Sequence, residues 1–167
     1  MKKLIGLLIV TVLLLAGCSQ PSAPPEGETP LEPPPEEQVA NPDNTWISPP
    51  SVTVDNLFPG AEDVEWPLTI HNGKDEPTQF SVTYRVPSSA AEDYVPAPDT
   101  AQDWVKIADP TPELAAKANK DVLISIEMPE DATAPPKWEF WIVVKDITQT
   151  GMIQTELACR CLVTMSD

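Results

Sequence analysis

Basic side chains are scarce in this chain, which has 10 Lys+Arg against 26 Asp+Glu and a formal net charge of -16. Such a surface repels nucleic acid, so we expect no nucleic-acid partner. Histidine is rarer still, because His71 is the only one. The sequence has no His-Glu-x-x-His motif, no Gly-x-Ser-x-Gly elbow and no phosphate-binding glycine loop, and we expect no cofactor.

Long apolar runs are also absent. The longest covers the twelve residues 4–15, is interrupted by Gly6 and Thr11, and follows the basic residues Lys2 and Lys3. A membrane-spanning helix needs about 20 residues, whereas the core of a signal peptide is shorter. The pattern therefore predicts a signal peptide over residues 1–17 and no membrane-spanning helix after it.

The stretch Leu15-Ala16-Gly17-Cys18 resembles the lipobox of bacterial lipoproteins. The resemblance implies that the Cys18 thiol receives a diacylglyceryl group, that the chain is cut before this residue, and that the new N-terminus is acylated, as with palmitate. Two or more acyl chains hold a protein stably in a bilayer. The prediction is a lipid-anchored, extracytoplasmic protein of the cell membrane or the outer membrane. An ordinary signal peptide with a chance cysteine, or an uncleaved anchor, is the alternative.

Residues 19–44 include eight prolines and six acidic residues but no Lys or Arg. Such a segment buries too little apolar surface to offset the entropy of ordering, and proline favours an extended chain. We predict a disordered, semi-rigid stalk over residues 18–44, with a reach of up to about 80 Å. A proline-motif ligand for a partner domain is the alternative.

From residue 45 onward, apolar and polar residues alternate with the period of a half-buried strand. The clearest segments are residues 64–71, 80–86, 122–128, 138–145 and 153–165, and shorter ones surround Val54 and Ile107. Asn72-Gly73 predicts a hairpin turn, and Thr111-Pro112 predicts a turn or at most one helical turn. The prediction for residues 45–167 is an all-β fold, a single Ig-like or fibronectin-III-like antiparallel β-sandwich of about seven strands.

Pro59-Gly60, the strand at residues 64–72 and the strand and bend at residues 122–132 resemble the NPCBM-associated domain family of bacterial surface proteins. The similarity covers most of residues 50–145. It implies a sandwich fold and no catalytic residues. The long segment 87–103 and the final Cys-x-Cys strand depart from the family pattern, which leaves a shared role open.

Cys159 and Cys161 share the phase of the apolar residues in their strand. Residues two apart in a strand have Cα atoms about 6.5 to 7 Å apart, at the edge of disulfide geometry. We predict two buried thiols that face the core. A strained disulfide, and an intermolecular or metal-binding role, are the alternatives.

Aromatic residues are the main indication of a binding site. Trp141 lies out of phase with the core residues of its strand, and Tyr94 and Trp104 flank the long segment 87–103. An exposed tryptophan beside acidic residues is typical of sugar-binding faces. We name Trp141, Tyr94 and Trp104 as tentative ligand-binding residues. In the alternative, segment 87–103 folds back over Trp141. Independently of this site, His71 beside Asn72-Gly73 is expected to be an exposed turn residue.

The sequence thus predicts a non-catalytic binding or structural module, with an envelope protein or a glycan as its partner and no metal site. A hydrolase that uses acidic residues is an alternative, and Glu65, Asp93, Asp103, Glu113 and Glu139 are its candidates. A thiol or metal protein built on Cys159 and Cys161 is the other.

Overall fold

The structure, a computed structural model, describes residues 41–148 and 155–166. The predicted signal peptide, the lipid attachment at Cys18 and the stalk as far as residue 40 lie outside the described residues. The described elements are β1 (Trp46–Ser48), β2 (Ser51–Leu57), β3 (Val64–His71), β4 (Thr78–Arg85), β5 (Val95–Pro96), α1 (Ala101–Trp104), β6 (Val105–Ile107), β7 (Glu113–Leu114), β8 (Asn119–Ile126), β9 (Lys137–Asp146) and β10 (Glu156–Met165).

These strands form two sheets. The smaller sheet has the order β1-β3-β8-β6, and the larger has the order β2-β10-β9-β4-β7, with β5 paired to β9 beyond the end of β4. The predicted Ig-like β-sandwich is confirmed. The strands are more numerous than predicted because the alternation did not reveal β1, β5 and β7, which are only two or three residues long.

The sandwich is not purely antiparallel. β2 pairs with β10 in parallel from Ser51–Arg160 to Leu57–Met165, and β5 also pairs with β9 in parallel. The first case arises because the N-terminal strand is divided: β1 pairs with β3 in the smaller sheet, and the chain then crosses at Pro49 and Pro50 to continue as β2 in the larger one. Residue alternation predicts strands but carries no information on which neighbour each strand selects.

The core lies between the sheets and is formed by the inward residues of each strand. Its largest fully buried side chains include Trp138, Phe80, Phe140, Leu68, Ile70, Ile124, Ile126 and Ile142. The prediction for the last strand is confirmed, since Cys159 and Cys161 are both 0% exposed and belong to this core. Both are free thiols. The hydrogen bond with Cys159, together with burial, holds the pKa of the Cys161 thiol well above its ordinary value.

The prediction of a turn or at most one helical turn after Thr111-Pro112 was right only in part, because a short strand precedes the turn at residues 115–118. The segment after Thr111-Pro112 forms β7 against the start of β4, because Glu113 and Leu114 pair with Gln79 and Thr78. The one helix of the described residues is α1, a single turn that buries Ala101 and Trp104 at the end of the long segment 87–103. Leu114 is 2% exposed, so its burial beside β4 outweighs a weak local helix signal.

Residues ahead of the predicted domain boundary at residue 45 also contact the sandwich. The carbonyl oxygen of Pro42 lies 2.8 Å from His71 Nε2, and Lys117 Nζ lies 2.9 Å from Asp43 Oδ1. The folded part therefore extends back at least to Pro42. Among residues 41–148 and 155–166, no helix has the length and apolar character needed to span a bilayer.

Candidate binding site on the outer face of the larger sheet

The outer face of the larger sheet holds an unusual buried carboxylate. Glu139 is on β9 and points away from the core, between the inward residues Trp138 and Phe140, yet it is 0% exposed. Segment 87–99 covers it: the Ala91 backbone N–H donates to Glu139 Oε2 at 2.5 Å. A buried carboxylate is costly unless it is hydrogen-bonded, so its other partners matter.

Those partners are Trp141 and Arg160. The Trp141 indole Nε1–H donates to Glu139 Oε1 at 2.6 Å, and Arg160 Nε lies 3.1 Å from the same oxygen. Trp141 and Arg160 are directly opposite each other in the β9–β10 register. Glu139 therefore holds an indole and a guanidinium side by side on the surface.

A pocket of about 270 Å³ opens beside this pair and is lined by Pro50, Ser51, Trp141, Ala158 and Arg160. We call it the Trp141–Arg160 pocket. Trp141 is half-buried, while 50% of the Arg160 side chain is exposed. The pocket lies where the chain crosses from β1 to β2, because Arg160 is opposite Ser51.

The second arginine of the chain is on the same face. Arg85 on β4 is opposite Trp141, and its Nη1 and Nη2 donate to the two carboxylate oxygens of Glu156 on β10 at 2.6 and 3.1 Å. This bidentate pair crosses β9, and the hydrogen bond from Arg85 holds the pKa of Glu156 below its ordinary value. Arg85 is thus occupied by a carboxylate of its own domain.

The three aromatic residues named from the sequence are not brought together. Trp104 is 6% exposed and packs edge-on against Trp138, with ring centroids 6.3 Å apart, so it belongs to the core and no external ligand reaches it there. Tyr94 is half-buried, and Lys137 Nζ lies 5.7 Å from its ring centroid. Lys137 and Trp141 are four residues apart on β9, or about 13 Å. A binding role stays a prediction for Trp141 and Tyr94.

His71 is buried, and the expectation of an exposed turn residue was wrong. Its side chain does point outward from the smaller sheet, but Trp46 stacks on it with ring centroids 5.0 Å apart, and it is 6% exposed. Its Nδ1 and Nε2 lie 2.6 and 2.8 Å from Asn119 Oδ1 and the Pro42 carbonyl oxygen. Pro42 belongs to the segment that the sequence assigned to the stalk, whereas Trp46 lies just inside the predicted domain.

The acidic candidates do not form a pair in the described structure. Glu139 has both oxygens engaged, whereas Glu65, Asp93, Asp103 and Glu113 are exposed and lie on four different segments. Sequence reasoning did not identify Glu139 as the residue that positions Trp141. The usable signal was the length of segment 87–103, which is long enough to fold back over β9.

A second depression, of about 380 Å³, lies between residues 44–45 and the facing ends of β9 and β10. Its lining includes Thr155, the first described residue after the gap at residues 149–154, and it supports no assignment. Among the described residues, no group of three or more His, Cys, Asp or Glu side chains could hold a metal ion.

The comparison with solved structures concerns this sandwich. A PapD-like domain of human CEP192, domain 7, is 14% identical, covers 84% of this chain and 99% of its own, and has a TM-score of 0.56. The fold is PapD-like. The E. coli chaperone DraB and the periplasmic chaperone SfaE are 16% and 15% identical, cover 73% and 74% of this chain, and both have a TM-score of 0.50.

This PapD-like chain spans just over half of those two chaperones, 55% and 58% of their lengths. No protein-family model matches the chain, and no curated protein matches it. At these identities the likeness concerns the fold alone. The comparisons give no support to the predicted similarity to the NPCBM-associated domain family.

Proposed function

We propose that this chain is a lipid-anchored, extracytoplasmic binding module of the bacterial cell envelope. In this proposal Cys18 carries the lipid, the proline-rich stalk spaces the domain from the membrane, and the PapD-like sandwich binds an envelope protein or a glycan. The lipobox-like stretch and the composition of residues 19–44 support the anchor and the stalk. The domain resembles two chaperones, one of them periplasmic, and a binding role outside the cytoplasm is in keeping with that likeness.

The Trp141–Arg160 pocket is the observation that carries the binding role. A carboxylate buried on the outer face of a sheet does not add to the hydrophobic core, and burying it costs free energy. What Glu139 achieves is to fix the indole of Trp141 and the guanidinium of Arg160 at the mouth of a pocket. Such positioning lowers the entropy lost when a partner binds.

The described residues favour binding over the two alternatives. A hydrolase of the glycosidase type needs two carboxyl groups that flank the substrate bond, but Glu139 is covered and its oxygens accept hydrogen bonds from within the domain. A thiol or metal function needs accessible sulfur, whereas Cys159 and Cys161 are buried in the core.

Photo-crosslinking in cells tests the proposal. A photoreactive amino acid at Ala158, which is exposed at the pocket, should give a crosslinked product, and the additional change Trp141→Ala should abolish it. The matched control position is Leu123, which is 41% exposed on the outer face of the smaller sheet. Equal products from both positions, or a product from Ala158 that survives Trp141→Ala in a folded variant, would contradict the proposal.

A further inference from the structure

The two Nη groups of Arg160 donate no hydrogen bond within the described part of the chain. The shortest contact of Arg160 with a carboxylate runs through its Nε, which lies 3.1 Å from Glu139 Oε1. Four of the five N–H donors of a guanidinium are on the two Nη atoms. Arg160 is therefore anchored on one edge and presents its other donors at the pocket.

Arg85, which lies on the same face, shows that the Nη edge of an arginine binds a carboxylate there. Both of its Nη groups donate to the Glu156 carboxylate, which is the fork-to-fork geometry that favours arginine for carboxylate recognition. Arg85 and Arg160 are the only two arginines in the sequence, and they lie on either side of Trp141. Both arginines therefore contact a carboxylate of their own domain, but Arg85 does so through both Nη groups and Arg160 through its Nε.

The walls of the pocket favour a polypeptide over a saccharide. Trp141, Pro50 and Ala158 are apolar, and the Ser51 hydroxyl is the one neutral polar side chain among the five lining residues. The sugar-binding hypothesis requires an accessible carboxylate that accepts hydrogen bonds from sugar hydroxyls, but Glu139 is 0% exposed. A volume of about 270 Å³ suits one side chain, and Trp and Arg are enriched in the residues that dominate protein interfaces.

We propose that the Trp141–Arg160 pocket binds a glutamate or aspartate side chain of a partner protein, with the carboxylate on the Nη groups of Arg160. The apolar neighbours of that side chain pack on Trp141, and Glu139 is the positioning residue for both contacts. This inference rests on the binding function proposed above. The chain carries a net charge of -16, so most of its surface repels an acidic partner segment, and the free Nη donors of Arg160 are the feature of this face that favours a carboxylate.

The test uses nuclear magnetic resonance of the full-length chain in detergent micelles, with ¹⁵N-labelled arginine and tryptophan. Two Arg Nε signals and five Trp Nε1 signals are available. The probe is the peptide acetyl-Pro-Glu-Pro-amide, and its matched controls are acetyl-Pro-Gln-Pro-amide and D-glucuronate. The glutamate peptide should shift the Arg160 Nε and Trp141 Nε1 signals saturably, at least fivefold more tightly than either control.

The two arginines provide a matched pair of variants. Arg160→Lys keeps the charge but removes the fork and should weaken binding of the glutamate peptide at least fivefold, whereas Arg85→Lys should leave it unchanged. Glu139→Gln should move the Arg160 Nε signal before any probe is added and should also weaken binding. If Glu139→Gln does not fold, the lysine pair still decides the question.

Three outcomes would overturn the inference: equal binding by Arg160→Lys and Arg85→Lys, tighter binding of D-glucuronate than of the peptide, or no saturable shift with the glutamate peptide. The second assigns the pocket to an acidic saccharide. The third rejects the carboxylate ligand but leaves the proposed binding function standing, because the crosslinking at Ala158 tests that function independently of ligand chemistry.

Discussion

The Tyr84 hydroxyl is buried and has no hydrogen-bond partner among the described residues. Its ring stacks on Phe140, with ring centroids 5.3 Å apart. Desolvation, helped by the negative charge of Asp99, raises the pKa of Tyr84 to about 12 from 10.0. The folded state therefore keeps the phenol protonated at pH values where the unfolded chain has begun to lose that proton.

We predict that Tyr84→Phe removes part of the alkaline instability of the domain. In the wild type, the contribution of Tyr84 is complete below pH 10 and is lost as the pH rises from 10 towards 12, because only the unfolded state ionises in that window. The variant should lack this loss and should be as stable as the wild type, or more stable by up to about 1 kcal/mol, at pH 7. Urea unfolding at several pH values measures both.

The thiols give a second prediction at this scale. Cys159 and Cys161 should label slowly in the native state, and two equivalents should react on unfolding, because both side chains are 0% exposed. Replacing both with alanine should cost roughly 1 to 2 kcal/mol and should leave crosslinking at Ala158 intact. Two reactive thiols in the folded domain, or none until a reductant is added, would contradict the core assignment.

Single residues differ in how far the sequence could place them. The cysteines were predictable because the alternation of their strand fixes which face they occupy. His71 also has the phase that was predicted, but its exposure depends on Trp46 and Pro42, which lie at least 25 residues earlier in the chain. The burial of Glu139 was unpredictable for the same reason, because it depends on Ala91, and its contact with Arg160 also joins residues that are distant in the chain.

At the scale of elements, the turn between β3 and β4 supports the N-terminal segment. Asn72 is 0% exposed, and its side-chain amide donates to the carbonyl oxygens of Glu76 and Ala115 at 2.8 and 2.9 Å. A Cβ at Gly73 would lie 2.2 Å from the Asn44 carbonyl carbon. The hairpin predicted from Asn72-Gly73 was wrong, because β3 and β4 belong to different sheets and do not pair; the connection instead packs against residues 44–45, which was not predicted.

We predict that Gly73→Ala destabilises the domain by roughly 1–3 kcal/mol, because the new methyl group meets backbone that cannot rotate away. Thermal unfolding measures the change. Asp75→Ala in the same turn is the matched control and should have little effect, since its contact with Lys117 is an exposed ion pair. Equal melting temperatures for Gly73→Ala and the wild type would refute the close approach of the N-terminal segment.

Strand positions were largely predictable, and strand partners were not. Residues 64–71 and 122–128 alternate clearly and became β3 and β8, which pair with each other. The short strands β5 and β7 carry no period because two residues cannot show one. The parallel pairing of β2 with β10 joins opposite ends of the domain, and no local pattern encodes such a contact.

At the scale of the whole molecule, the anchor is the decisive prediction. Cys18→Ala should abolish labelling with a fatty-acid analogue and should release the protein from the membrane fraction, because the acyl chains are the proposed hold on the bilayer. Labelling that persists in this variant would refute the lipobox interpretation. Cys161→Ala is the control, since its thiol is buried, and should label as the wild type does.

The division of the N-terminal strand has a mechanical consequence for a tethered protein. Tension on the chain ahead of residue 41 first reaches the contacts of Pro42 and Asp43 and then β1, which is joined to β3 by only three residue pairs. Pro50 and Ser51, which line the Trp141–Arg160 pocket, follow β1 in the chain. The next strand, β2, pairs with β10 in parallel, so a pull along β2 loads all of their hydrogen bonds together. In the proposed function, force between the lipid anchor and a bound partner therefore passes through Pro50 and Ser51, so the wall of the pocket that contacts the partner also carries the load.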